Sequence, residues 1–192
     1  MAQEKIYQQN QSGVTNTTIK RSKATNLIIN SLLIAIVMLT TQFIQIKLPG
    51  SSGGGLVHLG NVMVFAIAIV FGGKRAAIAA AVGMTFFDLL SPLYIVYAPI
   101  TFIGKGLMAY IAGYIAYTNG KMGMSLPYNL LGIIFGGTAM IATYYIGEIF
   151  LLGNILTPLA NVPGNITQII LGCILGVPLA FALKKVPYFK NF

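Results

Sequence analysis

The sequence predicts an all-α polytopic membrane protein: one bundle of six transmembrane helices with both termini cytoplasmic. Three observations carry that expectation. Of 192 residues, 56% are hydrophobic and 8% charged, where soluble domains carry roughly 25% charged residues. The apolar residues lie in long runs, and a crossing helix needs about 20 of them, so six crossings take about 120 residues and leave no space for a second domain. The cations, finally, stand almost entirely between those runs.

Taken in order, the spans fall at 24–44, 56–73, 75–91, 98–118, 127–152 and 163–184. Ahead of the first, residues 1–23 are rich in Gln, Ser, Thr and Asn. They lack a small-residue cleavage pattern and read as a flexible cytoplasmic tail. Residues 24–185 form the helical domain, and 186–192 a short cytoplasmic C-terminal tail. Pro99, Pro127 and Pro163 open spans four, five and six, where a missing N–H costs nothing. Pro178 lies inside span six, and a kink is expected there.

Orientation follows from the cations, which gather on the cytoplasmic side of membranes. With the N-terminus inside, Lys5, Lys20, Arg21, Lys23, Lys74, Arg75, Lys121, Lys184, Lys185 and Lys190 are cytoplasmic, and Lys47 alone is outside. The net charge of +9 comes without a basic stripe or nucleic-acid motif, so anionic lipid headgroups are the expected electrostatic partner. Small residues recur four apart at Ser31/Ala35, Ala79/Gly83, Ala109/Gly113, Gly132/Gly136 and Gly172/Gly176. That spacing lets helices approach closely in lipid; most pairs read as internal packing, and the first as a face for another membrane protein.

Polar groups inside the spans crowd toward one end. Asp88, Glu148 and Lys105 all lie in the outer halves of spans three, five and four, and buried ionisable groups in a bilayer are functional candidates. Asn61 opens span two after His58, Thr101 precedes Lys105 by one helical turn, and Asn161, Asn165 and Gln168 open span six. Tyr94 and Tyr97, then Tyr144 and Tyr145, lie at the same level. This asymmetry describes a cup for a small polar aromatic molecule, open from outside and sealed below by apolar packing. Asp88 and Lys105 admit two readings, a structural ion pair or ligand contact. The candidate binding residues are Asn61, Tyr97, Thr101, Lys105, Tyr144, Glu148, Asn165 and Gln168. The glycine-rich loop from Gln45 to Gly55 reads as a lid.

Several chemistries are excluded. No G-x-x-x-x-G-K-[ST] phosphate loop occurs, nor H-E-x-x-H or G-x-S-x-G, so neither ATP hydrolysis by that route nor catalysis is expected. One cysteine, Cys173, permits no internal disulfide and no multi-cysteine metal site. No cofactor is implied.

Between Val57 and Tyr117 stand V-H-L-G-N-V, F-G-G-K-R-A-A-I-A-A-A-V-G, F-D-L-L-S and Y-A-P-I-T-F-I-G-K-G-L-M-A-Y-I-A-G. This block resembles the substrate-binding S components of energy-coupling factor (ECF) vitamin transporters, most of all the branch for hydroxymethylpyrimidine, pyridoxine and riboflavin-type substrates. The resemblance implies a bacterial plasma-membrane subunit that captures a vitamin at the outer face. It also implies partners: a transmembrane coupling (T) protein and two cytoplasmic ATPases, with delivery by toppling of the loaded subunit. By the same resemblance the ligand lies near Thr101, Lys105, Glu148, Asn165 and Gln168 beneath the first outer loop, and Ser31 and Ala35 match the face that docks on the coupling protein. Hydroxymethylpyrimidine is the expected substrate, with pyridoxine or riboflavin as alternatives. A proton-coupled symporter using Asp88, Lys105 and Glu148 as a relay is the rival, opposed by inner halves without ionisable groups.

Overall fold

The computed structural model describes residues 22–47, 56–190 and 192. Seven α-helices occur among them: α1 (Lys23–Phe43), α2 (Gly60–Phe71), α3 (Gly73–Leu90), α4 (Ala98–Tyr117), α5 (Leu126–Leu152), α6 (Val162–Lys184) and the short α7 (Pro187–Lys190). Residues 1–21 of the expected tail over 1–23, and residues 48–55 of the expected lid, lie outside the described residues. Among the described residues four segments are long and apolar enough to cross a membrane: α1, α4 with the 3-10 turns on either side of it, α5, and α6 with its preceding 3-10 turn.

The second and third expected spans differ from that pattern. Residues 56–58 are not helical: Leu56–His58 (β2) pairs antiparallel with Gln45–Lys47 (β1), with Gln45 opposite His58. The helix that follows has 12 residues, about 18 Å at 1.5 Å per residue, against a hydrocarbon core of about 30 Å. α2 is apolar on every side because it is the central element. Val64, Phe65 and each residue from Ala66 to Val70 are buried, against α6 on one side and α1, α3 and α4 on the others. α3 carries Lys74 and Arg75 in its first turn and Asp88 near its end. Gly72 alone joins α2 to α3 with φ +81° and ψ 171°, an extended region of positive φ that is essentially glycine's own and costs a side-chain-bearing residue about 1–3 kcal/mol.

Small residues set the helix spacing. A methyl built on Gly132 of α5 would stand 2.5 Å from the Ala112 carbonyl of α4, and one on Gly176 of α6 would stand 2.7 Å from the Val62 carbonyl of α2. Gly83 of α3 faces the Ile34 carbonyl of α1 in the same way, at 2.7 Å. Ser31 and Ala35, by contrast, are exposed, on a face of α1 that also presents Leu27, Ile28, Leu32 and Leu39. α6 continues as helix through Pro178.

The two ends of the bundle differ. At one end Arg75 Nη2 donates to Asn26 Oδ1 at 2.9 Å, Tyr117 OH donates to the Val70 carbonyl at 2.6 Å, and Lys184 Nζ donates to the Met122 carbonyl. There α7 brings Phe189 edge-on to Phe71, ring centroids 5.7 Å apart. The opposite end, where α1, α3 and α5 finish and α2, α4 and α6 begin, holds the polar pocket.

Candidate substrate-binding pocket

Local helix geometry aims the polar side chains. Pro99 sits in the first turn of α4, with its preset φ suited to a helix start, and Thr101 and Lys105 follow on one face at a four-residue interval. Pro163 serves α6 similarly, placing Asn165 and Gln168 three apart. On α3, Met84, Phe87 and Asp88 share a stripe by the same periodicity. These faces meet in a pocket of about 440 Å³, mouth included, lined by Thr41, His58, Met84, Phe87, Asp88, Tyr94, Tyr97, Thr101, Lys105, Tyr144, Asn165 and Gln168. Its interior is narrow, with about 40 Å³ open to the centres of water molecules.

Lys105 is the hub. It is 2% exposed, and its Nζ donates to Asn61 Oδ1 at 3.1 Å and Gln168 Oε1 at 2.9 Å. The same nitrogen lies 5.6 Å from the Tyr144 ring centroid, within cation–π range. One ammonium thus ties α2, α4, α5 and α6 together. Tyr144 OH and Thr101 Oγ1 share a hydrogen bond of 2.8 Å, which fixes the phenol across the pocket. Asp88 is not a hydrogen-bond partner of Lys105: its Oδ2 is buried without a hydrogen-bond partner. Of the two readings open for this pair, direct ion pairing finds no support in the geometry.

His58, in β2 and outside the spanning helices, accepts the Gly60 backbone N–H at Nδ1, 3.2 Å away. Burial first, and then the Lys105 charge, hold its imidazole well below the ordinary histidine range. Neutral with Nδ1 accepting, the ring carries its proton on Nε2.

Of the eight residues expected from sequence, Tyr97, Thr101, Lys105, Tyr144, Asn165 and Gln168 line the pocket. Asn61 lies behind it, holding Lys105. Glu148, 1% exposed, does not line the pocket; its Oε2 accepts from Asn161 Nδ2 at 2.9 Å, tying the end of α5 to the turn that leads into α6. We expect Glu148→Gln, which keeps an acceptor for Asn161, to change ligand affinity by less than about threefold. Glu148→Ala, which strips that acceptor, is expected to weaken it about tenfold, or 1.4 kcal/mol. Titration calorimetry on both variants separates this anchoring role from direct contact. Tyr145 is turned away, donating to the Ile155 carbonyl at 3.0 Å. Thr41, Met84 and Phe87 are wall residues that sequence reasoning passed over; the three-four spacing of Met84, Phe87 and Asp88 was the available signal for two of them.

Residues 21–185 match the family described as ECF-type riboflavin transporter, S component. The chain belongs to this family. The S component is accordingly a transporter subunit rather than an enzyme, and an integral membrane protein by family and by its apolar helices. It is 28% identical over 149 residues to a Pyrococcus woesei protein described as "Uncharacterized protein in gap 3'region", covering 78% of this chain and 95% of that one. Its fold is similar to a solved structure titled "Structure and mechanism of the S component of a bacterial ECF transporter", with TM-score 0.64, 21% identity, and coverage of 85% of this chain and 98% of the other.

Proposed function

We propose that this S component captures a flat, polar aromatic vitamin or vitamin precursor at the outer face of the cell membrane and delivers it through a T protein driven by two ATPases. The observation that carries the proposal is the pocket itself. It is a polar site walled by three tyrosines and a phenylalanine and closed beneath by the buried apolar middle of α2. Aromatic faces suit a ring system, while Lys105, Asn165, Gln168 and Thr101 supply orienting hydrogen bonds. The cations Lys74, Arg75, Lys121, Lys184 and Lys185 lie toward the other end of the helices, which supports cytoplasmic termini with the pocket outside. In this reading α2 and α3 cross together with the four longer helices, α2 shielded from lipid by its neighbours.

Hydroxymethylpyrimidine is the substrate we favour, because a single substituted ring suits the narrow interior. Riboflavin is the second reading, favoured by the family match; its three fused rings require the pocket to widen. Mass spectrometry of small molecules released from the purified full chain tests both. Hydroxymethylpyrimidine supports the first reading and riboflavin the second. Absence of either, with no binding of added compound at micromolar concentration, overturns the proposal.

Delivery requires docking, and the uncovered Ser31 and Ala35 on α1 are the proposed contact. A leucine at Ala35 would hold a partner helix away from this small-residue face. Ala35→Leu is expected to reduce co-purification of the T protein and ATPases by about tenfold while leaving vitamin affinity unchanged. Retention of the whole complex would place the docking surface elsewhere.

A further inference from the structure

Asp88 stands in the pocket wall at 6% exposure, and its Oδ2 is a buried oxygen with no hydrogen-bond partner. A carboxylate oxygen accepts and a buried acceptor left unmet is unfavourable, so a ligand that offers a donor there satisfies it. Lys105, in the same wall, supplies the complement. An ammonium has three N–H groups, and two are committed to Asn61 and Gln168. An anionic ligand group set against Asp88 would be repelled, and a cationic one set against Lys105 likewise, so the pair calls for an edge that turns a donor to Asp88 and an acceptor to Lys105.

We propose that Asp88 and Lys105 together read a donor–acceptor edge of the bound heterocycle: a ring or exocyclic N–H given to Asp88, beside a carbonyl or ring nitrogen that accepts from Lys105. This rests on the heterocycle-capture reading above and makes Asp88 a specificity-determining residue. An imide edge and an aminopyrimidine edge both have this pattern. Rings without an N–H donor lack it and are discriminated against.

The test uses the full-length chain in detergent and two pairs of probes: riboflavin with its N3-methyl derivative, and hydroxymethylpyrimidine with the analogue whose exocyclic amine is dimethylated. For the pair whose parent binds, removing the N–H donor is expected to weaken binding to the unaltered protein at least about tenfold, and to weaken binding to Asp88→Ala by less than about threefold, because the acceptor that reads the N–H is gone. Equal affinity of parent and methylated compound for the unaltered protein overturns the inference while leaving vitamin capture intact. An equal methylation penalty in Asp88→Ala does the same. Failure of both parents to bind the unaltered protein removes the capture reading, and this inference with it. Should Asp88→Ala not fold, Asp88→Leu, which is closer in volume and also lacks an acceptor, takes its place in the same comparison.

Discussion

Lys105→Met is expected to weaken vitamin binding by at least about 100-fold, equivalent to roughly 2.7 kcal/mol. The substitution keeps an unbranched apolar stem and deletes the ammonium, so Asn61 Oδ1 and Gln168 Oε1, which accept from it at 3.1 and 2.9 Å, are left without their donor on two buried side chains. Each unmet buried acceptor costs about 1–3 kcal/mol. Part of that cost should appear as a lower melting temperature of the empty protein, and part as lost affinity, because Gln168 lines the pocket and turns away once its partner is gone. Arginine is no substitute: its planar fork needs more width than the point charge between these two amides. Calorimetric affinities for Lys105→Met and Lys105→Arg check the claim. An affinity within threefold of the original for the methionine variant would mean that the hub merely braces helices.

Gly132→Leu is expected to destabilise the bundle by more than about 3 kcal/mol, beyond the usual cost of overpacking. The reason is what the new side chain meets. Its Cβ would stand 2.5 Å from the Ala112 carbonyl oxygen and 3.2 Å from the Ala112 Cα. These are backbone atoms of α4 that no rotamer change can move, so α4 and α5 must separate. Since α4 carries Thr101 and Lys105 and α5 carries Tyr144, separation also opens the pocket wall. Gly153→Ala is the control: it takes φ +65° with nothing within 4 Å, so its penalty is only the left-handed backbone, about 1–2 kcal/mol. Melting followed by size-exclusion chromatography in detergent should rank Gly132→Leu well below Gly153→Ala, and the reverse order would refute the packing account.

Much of the site was legible before any coordinates because it follows helix periodicity. Thr101 and Lys105 four apart, Asn165 and Gln168 three apart, and Tyr144 at the far end of its helix share a level once span lengths are set, and all five line one pocket. Where the reading fell short, the missing information was rotation about a helix axis. Tyr144 and Tyr145 are adjacent and about 100° apart; one lies over Lys105 and the other bonds to the Ile155 carbonyl. Glu148 is at the right height, yet its carboxylate is taken up by Asn161. Residues 56–58 were read as helix because apolar strand and helix segments look alike in a short run. The pairing of Leu56–His58 with Gln45–Lys47 arises from a contact that neither segment encodes alone.

Composition and the spacing of apolar runs by themselves determined that this chain is a helical membrane protein with its polar groups gathered at one end. Transfer of each run out of water is a local property, summed residue by residue. Which of those polar groups face one another was decided only by the tertiary structure. That choice depends on how closely glycine-bearing faces such as Gly132 on Ala112 and Gly176 on Val62 let the helices approach and turn. A buried ammonium then selects its partners from whatever that packing brings within hydrogen-bond reach, here two amide oxygens rather than the carboxylate of Asp88.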